Sequence, residues 1–162
     1  MVNVRRYEEK DIAVMNSVWN GIVAEGRASP QTEALDIRSG AEFFAGQSFT
    51  AVAEGENGTV LGLYILHPNN IGRCGHICNA SYAVAPEARG LGVGEALVRH
   101  CIETGRELGF RILQFNAVVS TNTPALNLYK KLGFVRLGVI PGGFKMDDGT
   151  WADIIPHYIS LV

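Results

Sequence analysis

Apolar and polar residues alternate from Val2 to Arg6, the period of a half-buried strand. The period then lengthens. Ile12, Met15, Val18, Trp19, Ile22 and Val23 recur at helical spacing and predict a helix from Glu8 to about Glu25. Gly26 to Gln31 reads as a loop, and Thr32 to Phe44 as a second, weaker helix. Phe49–Glu54 and Thr59–Leu66 are β-like, and the Asn57-Gly58 pair between them is a hairpin-turn signal. A polar loop, His67 to Arg73, precedes the alternating stretch Ile77 to Val84. Ala96, Leu97, Val98, Cys101, Ile102 and Leu108 mark the buried face of a helix that ends near Gly109. Arg111 to Val118 is mostly apolar, the pattern of a strand covered on both faces. In the segment from Asn122 to Phe134, Thr123 can cap a short helix, Pro124 suits its first position and Gly133 can end it. Val135 to Ile140 predicts a strand, Pro141 to Thr150 a long turn, and Ala152 to Ser160 a closing strand. The order β-α-α-β-β-β-α-β-α-β-β gives an α/β fold with a mixed central sheet of about seven strands. No repeat or composition break interrupts it, so residues 1–162 are expected to form one domain.

Between the fourth strand and the helix that follows it lies Arg89-Gly90-Leu91-Gly92-Val93-Gly94. A strand, a glycine-rich turn and a helix N-terminus together point several free backbone N–H groups at one place. Alternate glycines remove the Cβ atoms that would keep an anion away. The expected guest is a phosphate on a carrier molecule. Spacing narrows the carrier. Counting from Gly90, the sixth residue is Glu95 rather than the glycine of a dinucleotide fingerprint. No Lys followed by Ser or Thr comes after Gly94, which excludes a Walker loop.

The formal charge of −2 gives no electrostatic case for nucleic acid or an anionic membrane. No apolar run approaches the ~20 residues of a membrane span, and the N-terminus has no signal-peptide core. Cys74, Cys78 and Cys101 are odd in number, which fits reduced thiols and a cytoplasmic location. Without an export signal, the glycosylation patterns at Asn57 and Asn79 carry no weight. Cys74-x-His76-x-Cys78 would share one strand face, but no fourth ligand accompanies it, and no metal is expected.

Arg89-x-x-Gly92-x-Gly94 after Ala83-Val84-Ala85-Pro86, with Asn122, Tyr129 and Leu132-Gly133-Phe134 downstream, resembles the GCN5-related N-acetyltransferases. The element order agrees along almost the whole chain. The resemblance implies a sheet splayed between its fourth and fifth strands and acetyl-CoA as co-substrate. It implies cofactor contacts from Ala83, Val84, Arg89, Gly90, Leu91, Gly92, Val93, Gly94, Asn122 and Tyr129. Tyr129 would be the general acid that protonates the departing thiolate; the alternative is a tyrosine that only packs. No base is evident. His76 has the right pKa class, although it can equally be structural, and Glu25 or a water chain are further candidates.

A narrower resemblance lies in His76-Ile77-Cys78-Asn79-Ala80-Ser81-Tyr82, Phe115-Asn116-Ala117-Val118-Val119 and Thr121-Asn122. These segments are similar to the fungal acetyltransferases of proline analogues such as azetidine-2-carboxylate, and to their bacterial relatives. That similarity implies a small amine substrate, an amino or imino acid, held by Asn79 and Asn116. The other role open to these amides is to satisfy backbone groups where the strands part. Two further functions stay open at this point: acetylation of proteins or peptides, and a non-catalytic acetyl-CoA-binding module. So does the choice between monomer and homodimer.

Overall fold

The computed structural model describes residues 1–162. Twelve regular elements follow in order: β1 (Asn3–Arg6), α1 (Ile12–Glu25), α2 (Ile37–Ala45), β2 (Phe49–Glu54), β3 (Val60–Pro68), β4 (Ile77–Val84), α3 (Val93–Glu107), β5 (Ile112–Val119), α4 (Thr123–Lys131), β6 (Val135–Arg136), β7 (Ile140–Lys145) and β8 (Trp151–Ser160). The sheet runs β1-β2-β3-β4-β5-β8-β6, with β7 also paired to β8. Every pairing is antiparallel except β4 with β5.

Helices cover both faces. Met15, Trp19 and Val23, four residues apart along α1, pack with Phe44 of α2 on Val52, Leu63, Ile65 and Ala83. On the other face Val93, Leu97, Val98, Cys101 and Ile102 of α3 and Tyr129 of α4 close a larger core over Tyr64, Leu66, Cys78, Leu113 and Phe115. Gly62 makes the second layer close. A Cβ there would lie 2.8 Å from the Ala83 carbonyl oxygen and 3.2 Å from both Leu97 Cδ1 and Val93 Cγ1. Its absence lets the start of α3 sit directly on the sheet.

At the N-terminal end, buried Asp11 is gripped by Arg5, whose Nη1 and Nη2 donate to its two carboxylate oxygens at 2.8 and 3.1 Å. Arg5 Nε also donates to Glu54 at 3.0 Å. The guanidinium holds the Asp11 carboxyl below its ordinary pKa.

The sheet has eight strands rather than about seven, because the expected turn from Pro141 contains β7. Proline and two glycines disguise it: Gly143 faces Ile154 so closely that a Cβ would collide with that side chain. Correspondingly β6 is only two residues long. The second helix starts at Ile37 rather than Thr32. Asn20 of α1 accepts from Leu35 N and donates to Leu35 O, each at 2.8 Å, which holds the chain extended before Asp36 caps α2. Likewise Asn122, not Thr123, is the N-cap of α4; its side chain accepts from Ala125 N at 3.4 Å. No helix is long and apolar enough to cross a membrane.

Candidate active site

β4 and β5 pair only at Ile77 with Ile112 and Cys78 with Leu113. Beyond that point β4 continues on β3 as far as Val84, while β5 leaves it. β5 also bulges. Phe115 faces His157 and Val118 faces Ile155, so one extra residue is accommodated at Asn116–Ala117. The two strands therefore splay, and a cavity of about 230 Å³ lies between them. Its wall comes from both sides of the sheet: Trp19, Ile22 and Ala28–Pro30 on the α1 side, Phe115, Ala125 and Tyr129 on the α3–α4 side. The opening passes through the sheet.

Parting strands leave backbone groups without partners. Ala85 N donates to Leu61 O, so by alternation Ala83 and Ser81 turn their N–H groups toward β3. Ala80, Tyr82 and Val84 then face the gap. Asn79 Oδ1 accepts from Ala80 N at 2.8 Å and closes the first vacancy. Tyr82 and Val84 have no β5 partner for theirs. Of the expected pair Ala83 and Val84, only Val84 turns its N–H to the gap, together with Tyr82, while Ala83 turns its own toward β3 and its methyl packs in the α1-side core.

At the end of β4 a short turn leads into the glycine loop. Gly90 and Gly92 have φ of +79° and +80°, the left-handed region that disfavours a side chain. A Cβ on either would meet no protein atom within 4 Å, so the space before them is open. Gly92 caps α3 with no side-chain hydrogen bond, which leaves the N–H groups of Val93, Gly94 and Glu95 at a bare helix N-terminus. Leu91 is exposed at the tip and Val93 is buried beneath. The Arg89 guanidinium turns to Glu25 at the end of α1, 2.7 Å away.

Tyr129 is buried in an aromatic nest. Its ring centroid lies 4.6 Å from that of Phe115, 5.3 Å from Phe134 and 5.7 Å from His157. Burial drives its phenol pKa well above 10, so it is a proton donor throughout the neutral range. Burial also pushes the nearby Cys101 thiol up to about 12 and the His157 imidazole down. The Tyr82 hydroxyl is buried without a hydrogen-bond partner.

No charged residue and no histidine lines the cavity. His76, the candidate base, is not brought to it. It is exposed just ahead of β4, where its carbonyl accepts from Arg111 N at 2.9 Å, beside the closed end of the split. Glu25 is also outside the lining and occupied by Arg89. Cys74 is exposed in a short turn, while Cys78 is buried. Asn79, Asn116 and Asn122 all reach the cavity wall. Ile77, Asn79 and Ser81 share the α1-side face of β4 with Ala83, and Gln114 and Asn116 lie on the corresponding face of β5, opposite Leu113 and Phe115. Trp19, Ile22 and the Ala28–Pro30 segment carried no sequence signal for the site; Trp19 and Ile22 match a core face, and only the fold turns them to the cavity.

A split sheet with a phosphate-ready loop at one end and a buried phenol beside the gap defines a coenzyme A-dependent acyltransferase. The chain belongs to the acetyltransferase (GNAT) family, whose model matches residues 15–134. It is an N-acetyltransferase. The N-acetyltransferase aca1 of Schizosaccharomyces pombe is 37% identical over 82 residues, which are 51% of this chain and 39% of that protein. The phosphinothricin N-acetyltransferase of Alcaligenes faecalis is 30% identical over 159 residues, covering 94% of this chain and 79% of its own. A GCN5-related N-acetyltransferase from Kribbella flavida superimposes with a TM-score of 0.90 at 34% identity, covering 98% of this chain and 97% of that one.

Proposed function

We propose that the protein transfers acetyl to the amine of a small amino or imino acid. One observation carries this reading: the cavity crosses the sheet, with neutral amides on one face and a protonated phenol on the other. Acetyl-CoA, when bound, supplies an activated acetyl thioester and leaves as the thiol. The open glycine loop, the uncapped start of α3 and the unpaired edge of β4 fit its phosphates and its amide-bearing arm. Residues Gly90 to Gly94 would hold the pyrophosphate, and Val84 and Tyr82 would pair with the arm, one N–H serving the acetyl oxygen. Arg89 would add its charge at the loop, and Asn122 would close the wall beside the arm.

The acceptor sits on the α1 side. Asn79 and Asn116 donate to its carboxyl oxygens, which fixes the nitrogen toward the gap without a cationic clamp. Tyr129 holds a proton at its phenol oxygen for the departing sulfur and recovers it from solvent. With no base in the cavity, the amine enters uncharged, and the proton it loses on acylation passes to water at the mouth. A volume of about 230 Å³ suits a small molecule rather than a folded-protein surface. The Alcaligenes faecalis relative, named for phosphinothricin, an amino acid, is consistent with that class.

The test is mass spectrometry of products after incubation with acetyl-CoA and a panel of imino acids, amino acids, peptides and polyamines. Acetylated azetidine-2-carboxylate or a related amino acid is expected, with Asn79→Ala raising KM and leaving acetyl-CoA affinity intact. Products from peptides or polyamines alone, indifferent to Asn79→Ala, would overturn the reading.

A further inference from the structure

Asn116 projects from the β5 bulge at the mouth of the cavity, and two other carboxamides hold it. Its Nδ2 donates to Asn69 Oδ1 at 2.7 Å, and Asn69 Nδ2 donates back to Asn116 Oδ1 at 3.3 Å. Gln114 Nε2 donates to the same Asn116 Oδ1 at 3.0 Å. The backbone of Asn69 is fixed, because its N–H donates to Ile77 O at 2.8 Å across the end of β3 and β4. Gln114 stands two residues before Asn116 on the same face of β5. A carboxamide oxygen accepts two hydrogen bonds and its nitrogen donates two. Both acceptor places on Asn116 are therefore filled, one donor is engaged, and one N–H remains. Across the gap Asn79 repeats the pattern: its Oδ1 takes the Ala80 N–H, and its Nδ2 is left over.

We propose that Asn69 and Gln114 are positioning residues that lock the Asn116 oxygen away from the substrate, so that the acceptor side presents N–H donors and selects a carboxylate over a carboxamide. This rests on the acceptor reading given above. A carboxylate offers only oxygens and satisfies both leftover donors. A carboxamide brings an N–H₂ that meets another donor in one of its two positions. Neither Asn69 nor Gln114 touches the reacting atoms; each acts through Asn116.

The experiment compares azetidine-2-carboxylate with its carboxamide in steady-state kinetics of the wild-type protein and three variants. Gln114→Glu can only accept, so it turns the Asn116 amide over and points its oxygen at the substrate. The ratio of kcat/KM for acid over amide should fall about tenfold or more, through KM for the acid, with kcat changed little. Asn69→Asp adds the same charge beside Asn116 but still accepts from its Nδ2 while Gln114 keeps donating to Oδ1; its ratio should fall several-fold less. Gln114→Met removes the restraint without charge and should raise KM for both compounds alike. Unchanged acetyl-CoA affinity and Tm show that each variant is folded. An unchanged ratio in Gln114→Glu, or an equal fall in Asn69→Asp, would overturn the positioning role. Wild-type protein that acetylates neither compound would instead remove the acceptor reading beneath it.

Discussion

Replacing Gly92 by alanine separates what the glycine does for the fold from what it does for the cofactor. Gly92 sits at φ +80°, and a Cβ there meets no protein atom within 4 Å. The folded protein therefore suffers backbone strain and no collision, about 1–2 kcal/mol for a left-handed alanine. For a chain of this size that lowers Tm by roughly 2–8 °C. The methyl group would stand in front of the bare N–H groups at the start of α3, where a pyrophosphate oxygen must approach. Displacing two hydrogen bonds to a charged oxygen costs about 3 kcal/mol or more, which is roughly 10²-fold in Kd. Gly109→Ala supplies the comparison. That residue, just past the other end of α3, has φ +87° and equally open space around it. The two variants should lose similar amounts of Tm, and calorimetric titration with acetyl-CoA should find weak binding only in Gly92→Ala. Equal affinities in the pair, whether both intact or both reduced, would refute the anion-binding role of the loop.

Tyr129→Phe keeps the ring in its nest and deletes the hydroxyl, so kcat should fall about 10²-fold with acetyl-CoA Kd unchanged; wild-type turnover in that variant would reduce Tyr129 to packing. Because burial keeps the Tyr129 phenol protonated well past pH 10 and no base lines the cavity, kcat/KM should rise tenfold per pH unit until the acceptor's own amine is deprotonated. Acceptors of lower amine pKa should shift that limb down by the same amount, whereas a fixed inflection near 6.5 would reveal a histidine base. Asp11→Ala strands the buried end of Arg5 and should cost about 2 kcal/mol at pH 7. The carboxyl is held below its ordinary pKa, so this stabilisation is complete above about pH 4 and fades as pH falls through the folded value. Calorimetric Tm values for wild type and variant should converge in acid; a gap that persists at pH 2 would contradict the ion-pair account.

For the candidate site, the sequence speaks through the glycine loop on one side and through the narrower resemblance at Asn79 and Asn116 on the other. Gly90 and Gly92 announce themselves because a glycine turn before a helix is a local event with residue-specific chemistry, whereas Asn122 and Tyr129 stand out only through the family resemblance, and the cap reads one residue late, at Thr123. Seven expected strands became eight because Ile140-Pro141-Gly142-Gly143 has the composition of a turn, and only a facing Ile154 explains a strand there. The pattern of the second helix begins too early, because nothing near Thr32 reveals that Asn20, on another helix, holds Leu35 extended. His76 is a residue type suited to a base, but the closed end of the β4–β5 pair keeps it from the cavity. Asn116 is named by the narrower resemblance, but its placement depends on a bulge, and a bulge is a relation between two strands, invisible in either alone. Trp19 and Asn69 reach the site through contacts between distant segments, for which one chain's spacing carries no signal.

The parting of β4 from β5 also gives this protein two sheet edges in its interior. Exposed edges invite a further strand, and most proteins shorten, charge or cover them for that reason. Here the unpaired N–H and C=O groups of Tyr82 and Val84 are guarded by access alone, with helices above and below and Asn79 closing the inner end. On the proposed function, the cofactor arm is a missing strand. Its binding finishes the sheet, so backbone amides on both sides of the gap should be slowest to exchange with solvent deuterium when acetyl-CoA is present, and the folding of the protein and the loading of its reagent share one set of hydrogen bonds.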